Sequence, residues 1–365
     1  MTRFLPAAII TIAFIALISA APTATPDKTL ARDWATNPAI ARIDRQPDHL
    51  YAIGDVHGDL DRLVALLVRA NLIDTKSSQP GQVRWTGGNS VLVLTGDLID
   101  KGPHPVAVIR LLAAMRDAAS RAGGQVVITM GNHEAEFLSG KTKKAASKAA
   151  TTVLPNSFLD DLERNRLDRE AILGCHGDIG EFLCSLPFAA RVGDWFFSHA
   201  GNTAGRSLLQ LSQNLERGVT TDGFLTNELS DPDSILQARL GAENLWFRPS
   251  LQPNKKGPEG QQTERGVLAA DAAALGVSHM VQGHQPGEVE FADGVVRHKG
   301  EMFQRWGLLF LIDTGMSQDI NDSKGAVLSV SQGKNAVAIC PDGMQTPLWD
   351  EGTKQDSGRA VLCAR

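Results

Sequence analysis

The chain has 365 residues, which is enough for one large domain or two small ones. Its composition, 42% hydrophobic and 21% charged, is ordinary for a globular protein with a sizeable core. The formal net charge of −5 and the lack of a long basic run argue against a nucleic-acid-binding surface, so we expect no nucleic-acid partner.

The N-terminus is strongly apolar. Residues 4–22, FLPAAIITIAFIALISAAP, follow Arg3 and end in small residues. This pattern is typical of a secretory signal peptide, so we predict that residues 1–21 are removed and that the protein is exported, to the periplasm of a bacterium. An uncleaved membrane anchor is the alternative, because the run is close to spanning length. Pro6 and the small closing residues favour cleavage, after which we expect no stable membrane span.

Four cysteines follow, at positions 175, 184, 340 and 363. An even number in an oxidising compartment permits two disulfides, and both Cys175–Cys184 and Cys340–Cys363 are possible pairs. Free buried thiols are the alternative. The spacing does not match that of zinc ligands.

Residues 22–46 are predicted to be a loose leader, and residues 47–365 a single α/β domain in which buried strands alternate with helices. Within it, residues 204–265 are predicted to be a helical and loop insert, and residues 316–365 C-terminal strands. The predicted strands are 49–53, 90–95, 125–130, 192–198 and 278–282. The predicted helices are 60–71, 105–121, one that Glu134 opens, and 266–275.

The predicted strands end in similar polar motifs. These are GDVHG (54–58), GDLIDKG (96–102), GNHE (131–134), SHAG (198–201) and GHQP (283–286). Because the carboxyl ends of strands in an open α/β sheet face one crevice, we expect their polar side chains to meet there. The candidates are Asp55, His57, Asp97, Asn132, His199 and His284.

This mixture of carboxylate, amide and imidazole favours divalent transition metals over Ca²⁺ and Mg²⁺. Six ligands are too many for one metal that keeps an open position, but they suit two metals that share a carboxylate. A single histidine at a strand end is more often structural, and we interpret His279 and His298 in that way.

In this order, the five motifs resemble those of the metallophosphoesterases of the phosphoprotein phosphatase superfamily. The chain is most similar to the bacterial Shewanella-like phosphatases, with support from residues 176–201 and from LWFRP (245–249). The resemblance covers residues 47–315. It implies a calcineurin-like sandwich, in which two central mixed β-sheets are flanked by helices, and two divalent metal ions, Mn, Fe or Zn, with Mn favoured.

The resemblance also implies individual roles. Asp55, His57 and Asp97 would hold one metal. A second metal would be held by Asp97, as the bridge, and by Asn132, His199 and His284. A hydroxide activated by both metals would attack phosphorus in line, His133 would be the general acid, and Asp100 would orient it.

The chain departs from many relatives at Lys101, where they carry arginine. An arginine guanidinium can bind a phosphate through two N–H groups, whereas the lysine ammonium is a compact point charge. We therefore expect phosphate binding to need another cation. Arg248 is the first candidate and Arg265 the second, with an ordinary solvated charge as the alternative for Arg265. His176 is a candidate for contact with phosphate, but a structural role as a helix cap is favoured. Trp246 and Phe247 are candidates for the wall of the pocket, but aromatic residues beside a loop are more often core residues.

The predicted function is that of a metal-dependent phosphomonoesterase acting on a phosphorylated substrate, either a phosphoprotein or a small phosphomonoester. One alternative is a hydrolase of nucleotide polyphosphates or phosphodiesters that uses the same site. Another, from a different class, is a non-catalytic metal-binding interaction module. The sequence makes no prediction about oligomeric state.

Overall fold

The computed structural model of the protein describes residues 32–74, 82–140, 157–238, 264–291, 293–318, 320, 323–352 and 358–363. The predicted signal peptide therefore lies outside the described residues. So do Arg248, Trp246 and Phe247. Among the described residues, no helix is both long and apolar enough to cross a bilayer.

The described helices range from four to 17 residues, and the longest, Pro105–Arg121, packs against the strand Gln125–Ile128. Their bounds are α1 Leu60–Arg69, α2 Pro105–Arg121, α3 Asn132–Leu138, α4 Phe158–Arg164, α5 Arg169–Leu173, α6 Gly177–Ser185, α7 Leu208–Asp222, α8 Asn227–Ser230 and α9 Glu264–Leu275. Local sequence features explain where α1 and α2 begin, after the motifs that contain Asp55 and Asp97. Asp59 caps α1 by accepting a hydrogen bond from the Arg62 amide, and Pro105 begins α2, where its missing N–H has no partner to lose.

The strands are short, as is usual where they are buried on both faces. They are β1 Ile40–Ile43, β2 His49–Ile53, β3 Val91–Leu94, β4 Gln125–Ile128, β5 Ala189–Val192, β6 Trp195–Ser198, β7 His279–Gln282, β8 Val289–Glu290, β9 Val296–Arg297, β10 Met302–Arg305, β11 Leu309–Leu311, β12 Val327–Ser331, β13 Asn335–Ile339, β14 Gln345–Asp350 and β15 Arg359–Val361.

In the part of the chain that the structure describes, two mixed sheets form the centre of the molecule. One has the order β1-β5-β6-β7-β11-β10-β15, and the other has the order β14-β13-β12-β2-β3-β4. The strands β2, β3 and β4 are parallel, as are β6, β7 and β11. The small hairpin β8–β9 stands apart from both sheets. This architecture confirms the predicted fold, a calcineurin-like sandwich of two mixed sheets with helices.

Side chains that alternate along the strands fill two separate cores. On β3, Val91 and Val93 belong to the core that also contains Trp195 and Phe197 of the other sheet. Leu92 points to the opposite face, into the core formed with the helices. Both faces of the central strands are therefore buried, and polar side chains can gather only beyond the strand ends.

Two predictions need correction. Residues 40–43, assigned to a loose leader, form the edge strand β1, which pairs with β5 in parallel from Ile40↔Ala189 to Ile43↔Val192. The single strand predicted at 192–198 is instead the antiparallel hairpin β5–β6, closed by a two-residue turn in which Gly193 has a φ of 54°. Only glycine adopts that left-handed conformation readily, so the turn is encoded locally.

The cysteines form the two disulfides that the sequence permits, Cys175–Cys184 and Cys340–Cys363. The second bond joins the residue after β13, in one sheet, to the segment that follows β15, in the other. The C-terminal residues 316–365 supply β12 to β15, as predicted. Residues 204–238 of the predicted insert contain α7, a 3₁₀ turn at Gly223–Leu225 and α8, and residues 239–263 lie outside the described residues.

Candidate metal centre

The side chains predicted to bind metal come together at the carboxyl ends of strands in both sheets. The loops after β2, β3 and β4 approach from one sheet, and the loops after β6 and β7 approach from the other. The structure brings together all six predicted ligands, Asp55, His57, Asp97, Asn132, His199 and His284, and places Asp100 and His133 beside them.

Asp97 lies at the middle of this cluster. Its Oδ2 is 3.5 Å from Nε2 of His57 and 3.9 Å from Nε2 of His133. Its Oδ1 is 3.4 Å from Nε2 of His199, which forms a second group together with His284. In each group the potential ligand atoms lie within 4.8 Å of one another. One carboxylate thus faces two sets of imidazoles, with one oxygen toward each.

Asp55 and Asn132 complete the surroundings of these groups. The Oδ2 of Asp55 is 4.0 Å from Nε2 of His57, and both Asp55 oxygens accept the backbone N–H of His284, at 3.0 and 3.1 Å. The Oδ1 of Asn132 is 2.8 Å from Nε2 of His199. Asp55 therefore links the loop after β2 to the loop after β7, across the two sheets.

Hydrogen bonds to carbonyl groups determine which imidazole nitrogen faces the cluster. Nδ1 of His57 lies 3.0 Å from the Ile99 carbonyl, and Nδ1 of His199 lies 2.8 Å from the Thr95 carbonyl. A carbonyl oxygen only accepts, so Nδ1 carries the proton in both rings and Nε2 presents its lone pair. Burial lowers the pKa of both imidazoles, to about 3 for His57, which keeps the rings neutral.

The consequence is a concentration of lone pairs around His199. Its Nε2 faces the carbonyl oxygen of Asn132 and the carboxylate of Asp97. The amide nitrogen of Asn132 points away, toward Oε1 of Glu136 at 3.4 Å, so its oxygen is the atom turned inward. Nδ1 of His284 lies 3.0 Å from Nε2 of His199. The lone pairs of the imidazole, the amide oxygen and the carboxylate repel one another unless a proton or a cation lies among them. The donor set therefore fits a divalent transition metal.

The first group contains His133 as well as His57 and Asp97. His133 differs from the other histidines, because its Nδ1 lies 2.7 Å from Oδ2 of Asp100 and its side chain is 13% exposed. Burial alone would lower the pKa of His133, but Asp97 and the hydrogen bond with Asp100 outweigh burial and raise it. A protonated ring cannot bind metal, so Asp55 suits the role of third ligand on this side better than His133 does.

The carboxylates of the site differ strongly in their electrostatics. Burial raises the pKa of Asp55, and the neighbouring charges of Asp313 and Asp97 add to this. Burial would also raise the pKa of Asp97, but the four surrounding histidines, His199 first among them, lower it well below the usual range. Asp97 is therefore the carboxylate most strongly held in its charged form, as a bridging ligand requires.

Glu134 holds two of the metal-binding loops together through their backbones. Its side chain is fully buried. Oε2 accepts from the amides of Asp97 at 3.0 Å and Gly131 at 2.8 Å, and Oε1 accepts from the amides of Leu98 at 2.8 Å and Ile99 at 3.2 Å. Burial and the charge of Asp97 raise the pKa of Glu134 to about 7, against the effect of these N–H groups. One carboxylate thus fixes the position of Asp97 relative to the start of α3.

Several site residues have a backbone conformation that non-glycine residues rarely adopt. Each such residue costs about 1–3 kcal/mol, which the surrounding structure must offset. Strain of this kind is concentrated at functional sites. In this loop cluster the φ angles lie between 46° and 70° for His57, Asp97, Lys101, Asp100 and His284.

Two glycines are required because the loops approach one another very closely. A Cβ at Gly131 would lie 2.2 Å from Oδ1 of Asp97, and a Cβ at Gly283 would lie 2.3 Å from Oδ1 of Asp55. Any larger residue at either position would push a carboxylate of the cluster out of place. The glycines of the GNHE and GHQP motifs therefore shape the site directly.

The predicted phosphate-binding cations lie in three different situations. Lys101 is exposed, and its Nζ lies 3.4 Å from Nε2 of His57, at the open side of the cluster. Arg265 is exposed in the first turn of α9. Arg248 lies outside the described residues. The phosphate-binding roles of all three stay predictions.

The histidines interpreted as structural have the expected surroundings. His279 is buried and stacks on Trp195, with a ring-centroid distance of 4.1 Å. His298 is exposed and lies 3.3 Å from Oε2 of Glu288. His176, a weaker candidate for substrate contact, is exposed at the start of α6 and makes no side-chain capping bond there.

Sequence reasoning missed residues that act on the site through others. Glu134 was interpreted only as a helix start, although its position three residues after Gly131 is that of a capping glutamate. Asp313 is fully buried next to Gly54, and burial raises its pKa to about 6, with a further contribution from the charge of Asp97. No sequence motif around Asp313 indicated a role for it.

The family model and two sequence relatives that match the chain are named as phosphoesterases or phosphatases. Residues 49–288 match the model of the calcineurin-like phosphoesterase family. The chain is 35% identical to Shewanella-like protein phosphatase 2 of Arabidopsis thaliana, over 84% of this chain and 80% of that protein. It is 32% identical to a symmetrical bis(5'-nucleosyl)-tetraphosphatase of Citrobacter koseri, but only over 34% of this chain and 37% of that protein.

Among solved structures, the fold is similar to that of a cold-active protein-tyrosine phosphatase from a psychrophilic Shewanella species. The TM-score is 0.58 at 19% sequence identity, and the match covers 89% of this chain and 85% of that one. At this level of identity the similarity concerns the fold alone.

Proposed function

The chain belongs to the calcineurin-like phosphoesterase family and is a phosphoric ester hydrolase, and we propose that it hydrolyses phosphomonoesters of proteins at a dinuclear metal centre. The observation that carries the dinuclear proposal is the position of Asp97. Its two oxygens face two separate histidine groups, at 3.5 Å from His57 and at 3.4 Å from His199. A bridging carboxylate has this arrangement.

In this proposal Asp55, His57 and Asp97 hold one metal. Asp97, Asn132, His199 and His284 hold the other. Bound divalent metals would acidify a coordinated water and neutralise charge on the phosphoryl oxygens. The mixed nitrogen and oxygen ligands support Mn, Fe or Zn, with Mn favoured.

The remaining chemistry belongs to residues at the open side of the site. His133 donates the proton that the leaving oxygen needs, from Nε2, while Asp100 holds the proton on Nδ1 at 2.7 Å. Lys101 contributes positive charge beside His57, where it can attract phosphoryl oxygens. Arg248 and Arg265 are proposed as additional phosphate-binding cations, on the basis of their sequence positions.

A thiol nucleophile is excluded by the chain itself. All four cysteines are paired in disulfides, and none is free. A covalent phosphocysteine intermediate therefore has no residue on which to form, which is compatible with direct in-line attack by water on phosphorus.

The same two disulfides support the proposal that the protein is exported. Disulfides persist in oxidising compartments and are rare in the cytosol. Together with the apolar segment at residues 4–22, they favour a secreted protein that resides in the periplasm.

A hydrolase of nucleotide polyphosphates is the second candidate, because the partial match to the Citrobacter koseri enzyme carries that activity in its name. The Arabidopsis thaliana match, which extends over most of both chains, favours phosphoprotein instead. A comparison of kcat/KM on phosphoserine, phosphothreonine and phosphotyrosine peptides, p-nitrophenyl phosphate and diadenosine tetraphosphate, with Mn²⁺ present, tests the choice. We expect the monoesters to be hydrolysed at least tenfold more efficiently. Preferential hydrolysis of the dinucleotide would overturn the proposal.

A further inference from the structure

The loop that carries His284 has an unusual support. Residues 283–287 follow β7, and His284 within them has a φ of 70°. Its backbone N–H is directed at Asp55, and the Gln285 amide bonds to the Gly283 carbonyl at 2.9 Å. A non-glycine residue with a left-handed backbone, such as His284, keeps that conformation only if surrounding contacts stabilise it.

Arg297 provides such contacts to the backbone of this loop. Its side chain is fully buried, on the second strand of the small hairpin β8–β9. Nη1 donates to the carbonyl of Gln285 at 2.9 Å and also to that of Gly287. The residues on either side of Pro286 are thus both bound by one guanidinium nitrogen.

The rest of the guanidinium connects this loop to a second one. Nη2 donates to the carbonyl of Asp313, in the segment after β11, and Nε donates to the carbonyl of Glu301 at 2.8 Å. Gly54, which precedes Asp55, packs against this same segment, since a Cβ there would lie 2.6 Å from the Ile312 carbonyl. Arg297 therefore joins the loop of His284 to the segment on which the Asp55 loop rests.

We propose that Arg297 is a positioning residue for metal binding, which fixes His284 relative to Asp55 through backbone carbonyls. This inference rests on the dinuclear centre proposed above. The planar guanidinium has N–H donors in fixed directions, so it can bind the carbonyls of three separate segments at once. The ammonium group of a lysine is compact and cannot reach all three. Partners that orient metal ligands typically change metal affinity about 10–100-fold when they are altered.

The chain contains a matched control. Arg305, on β10, is also a fully buried arginine, but it pairs with Asp293 and with Glu264 and packs on Phe291 and Trp306. Its described partners do not include a predicted metal ligand or a residue of the 283–287 loop. The change R305K thus removes a second buried guanidinium, which contacts the β8–β9 hairpin at Phe291 and Asp293 but whose described contacts do not include the carbonyls of Gln285, Gly287 and Asp313 that Arg297 binds.

The test is calorimetric titration of metal-free wild type, R297K and R305K with MnCl₂, with thermal unfolding of each metal-free protein measured in parallel. We expect R297K to bind Mn²⁺ about 10–100-fold more weakly at the site that includes His284. We expect R305K to bind like wild type even if it unfolds at a lower temperature. Saturating Mn²⁺ should restore kcat in R297K.

Unchanged Mn²⁺ affinity in R297K would overturn the inference, as would an equal loss of affinity in R305K. If wild type binds Mn²⁺ tightly, neither result contradicts the proposed metal centre. A wild-type protein that binds no Mn²⁺ would instead overturn the proposed centre, and this inference with it.

Discussion

The carboxylate of Asp100 lies 2.7 Å from Nδ1 of His133, and the same carboxylate accepts the backbone N–H of Phe158 through its other oxygen at 2.8 Å. The imidazole is therefore held between a fixed acid on one side and Asp97 on the other, with Nε2 turned toward the site. In the proposed mechanism, this relationship separates proton donation from metal binding, so we expect the two to be altered independently.

Substitution of His133 by alanine should leave metal content unchanged and lower kcat. The loss should be about 10²–10⁴-fold on alkyl phosphates such as phosphoserine, because their leaving oxygen needs a proton. It should be much smaller on p-nitrophenyl phosphate, whose leaving group is stable without one. Steady-state kinetics on both substrates measures the difference. An equal loss on both would contradict the role of general acid.

Substitution of Asp100 by asparagine should also lower kcat with metal content unchanged. The asparagine oxygen can still accept from Phe158, but its NH₂ group would face Nδ1 of His133 and would favour the tautomer without a proton there. The ring would then be neutral and a poorer acid. We expect a loss of at least tenfold on alkyl phosphates. If D100N matched wild type on these substrates, Asp100 would not orient the acid.

Substitution of Glu134 by glutamine should weaken both folding and metal binding. Glutamine keeps one acceptor oxygen, and its NH₂ group would face two of the four N–H groups that Glu134 now accepts. Each buried donor left without a partner costs about 1–3 kcal/mol of the free energy of unfolding. Urea unfolding and Mn²⁺ titration together measure the two effects.

The control for E134Q is Asp161→Asn. Asp161 is also buried and accepts a backbone N–H, that of Val106 at 2.8 Å, but it lies at the start of α4, away from the predicted ligands. D161N should lose stability and bind Mn²⁺ normally. If both variants bound Mn²⁺ as wild type does, the role assigned to Glu134 in holding Asp97 would be wrong.

Removal of the Cys340–Cys363 disulfide should destabilise the protein without changing its chemistry. The bond closes a loop with a sequence separation of 23, against 9 for Cys175–Cys184. In the chain-entropy model the longer loop contributes more, and the expected loss is about 2–4 kcal/mol. Urea unfolding of the two double alanine variants compares them. A larger loss of unfolding free energy in C175A/C184A than in C340A/C363A would contradict the model. The kcat/KM of the folded C340A/C363A variant should equal that of wild type.

The clustering of the predicted metal ligands was predictable because these side chains follow buried strands directly in the sequence. The strand pattern predicted one open sheet, but β2, β3 and β4 lie in one sheet and β6 and β7 in the other, so Asp55 and His284 meet across two sheets. The two-sheet arrangement was predicted from the family resemblance. The separate pairing of His133 with Asp100 was also predicted, from the family resemblance.

The supporting residues were not predictable in the same way. Glu134 and Arg297 bond to backbone N–H and carbonyl groups, which nearly every residue carries, so side-chain types do not identify their partners. The spacing of Glu134 from Gly131, that of a capping glutamate, is the one signal that the sequence offers for Glu134. Strand β1 was missed because four residues at a sheet edge give too little periodicity to distinguish a strand from a leader. The β5–β6 turn was missed although Gly193-Asp194 is a hairpin signal, because residues 189–192 before it were not recognised as a separate strand.

The most direct test of the account is to count the metals. Metal-free protein reconstituted with Mn²⁺ should contain two Mn per chain by elemental analysis. Its EPR spectrum should show spin coupling between them, because in the proposed centre Asp97 would be a ligand of both. The change D97A should abolish the coupled signal and most of the bound metal. One Mn per chain in wild type, or two coupled Mn ions in D97A, would contradict a centre bridged by Asp97.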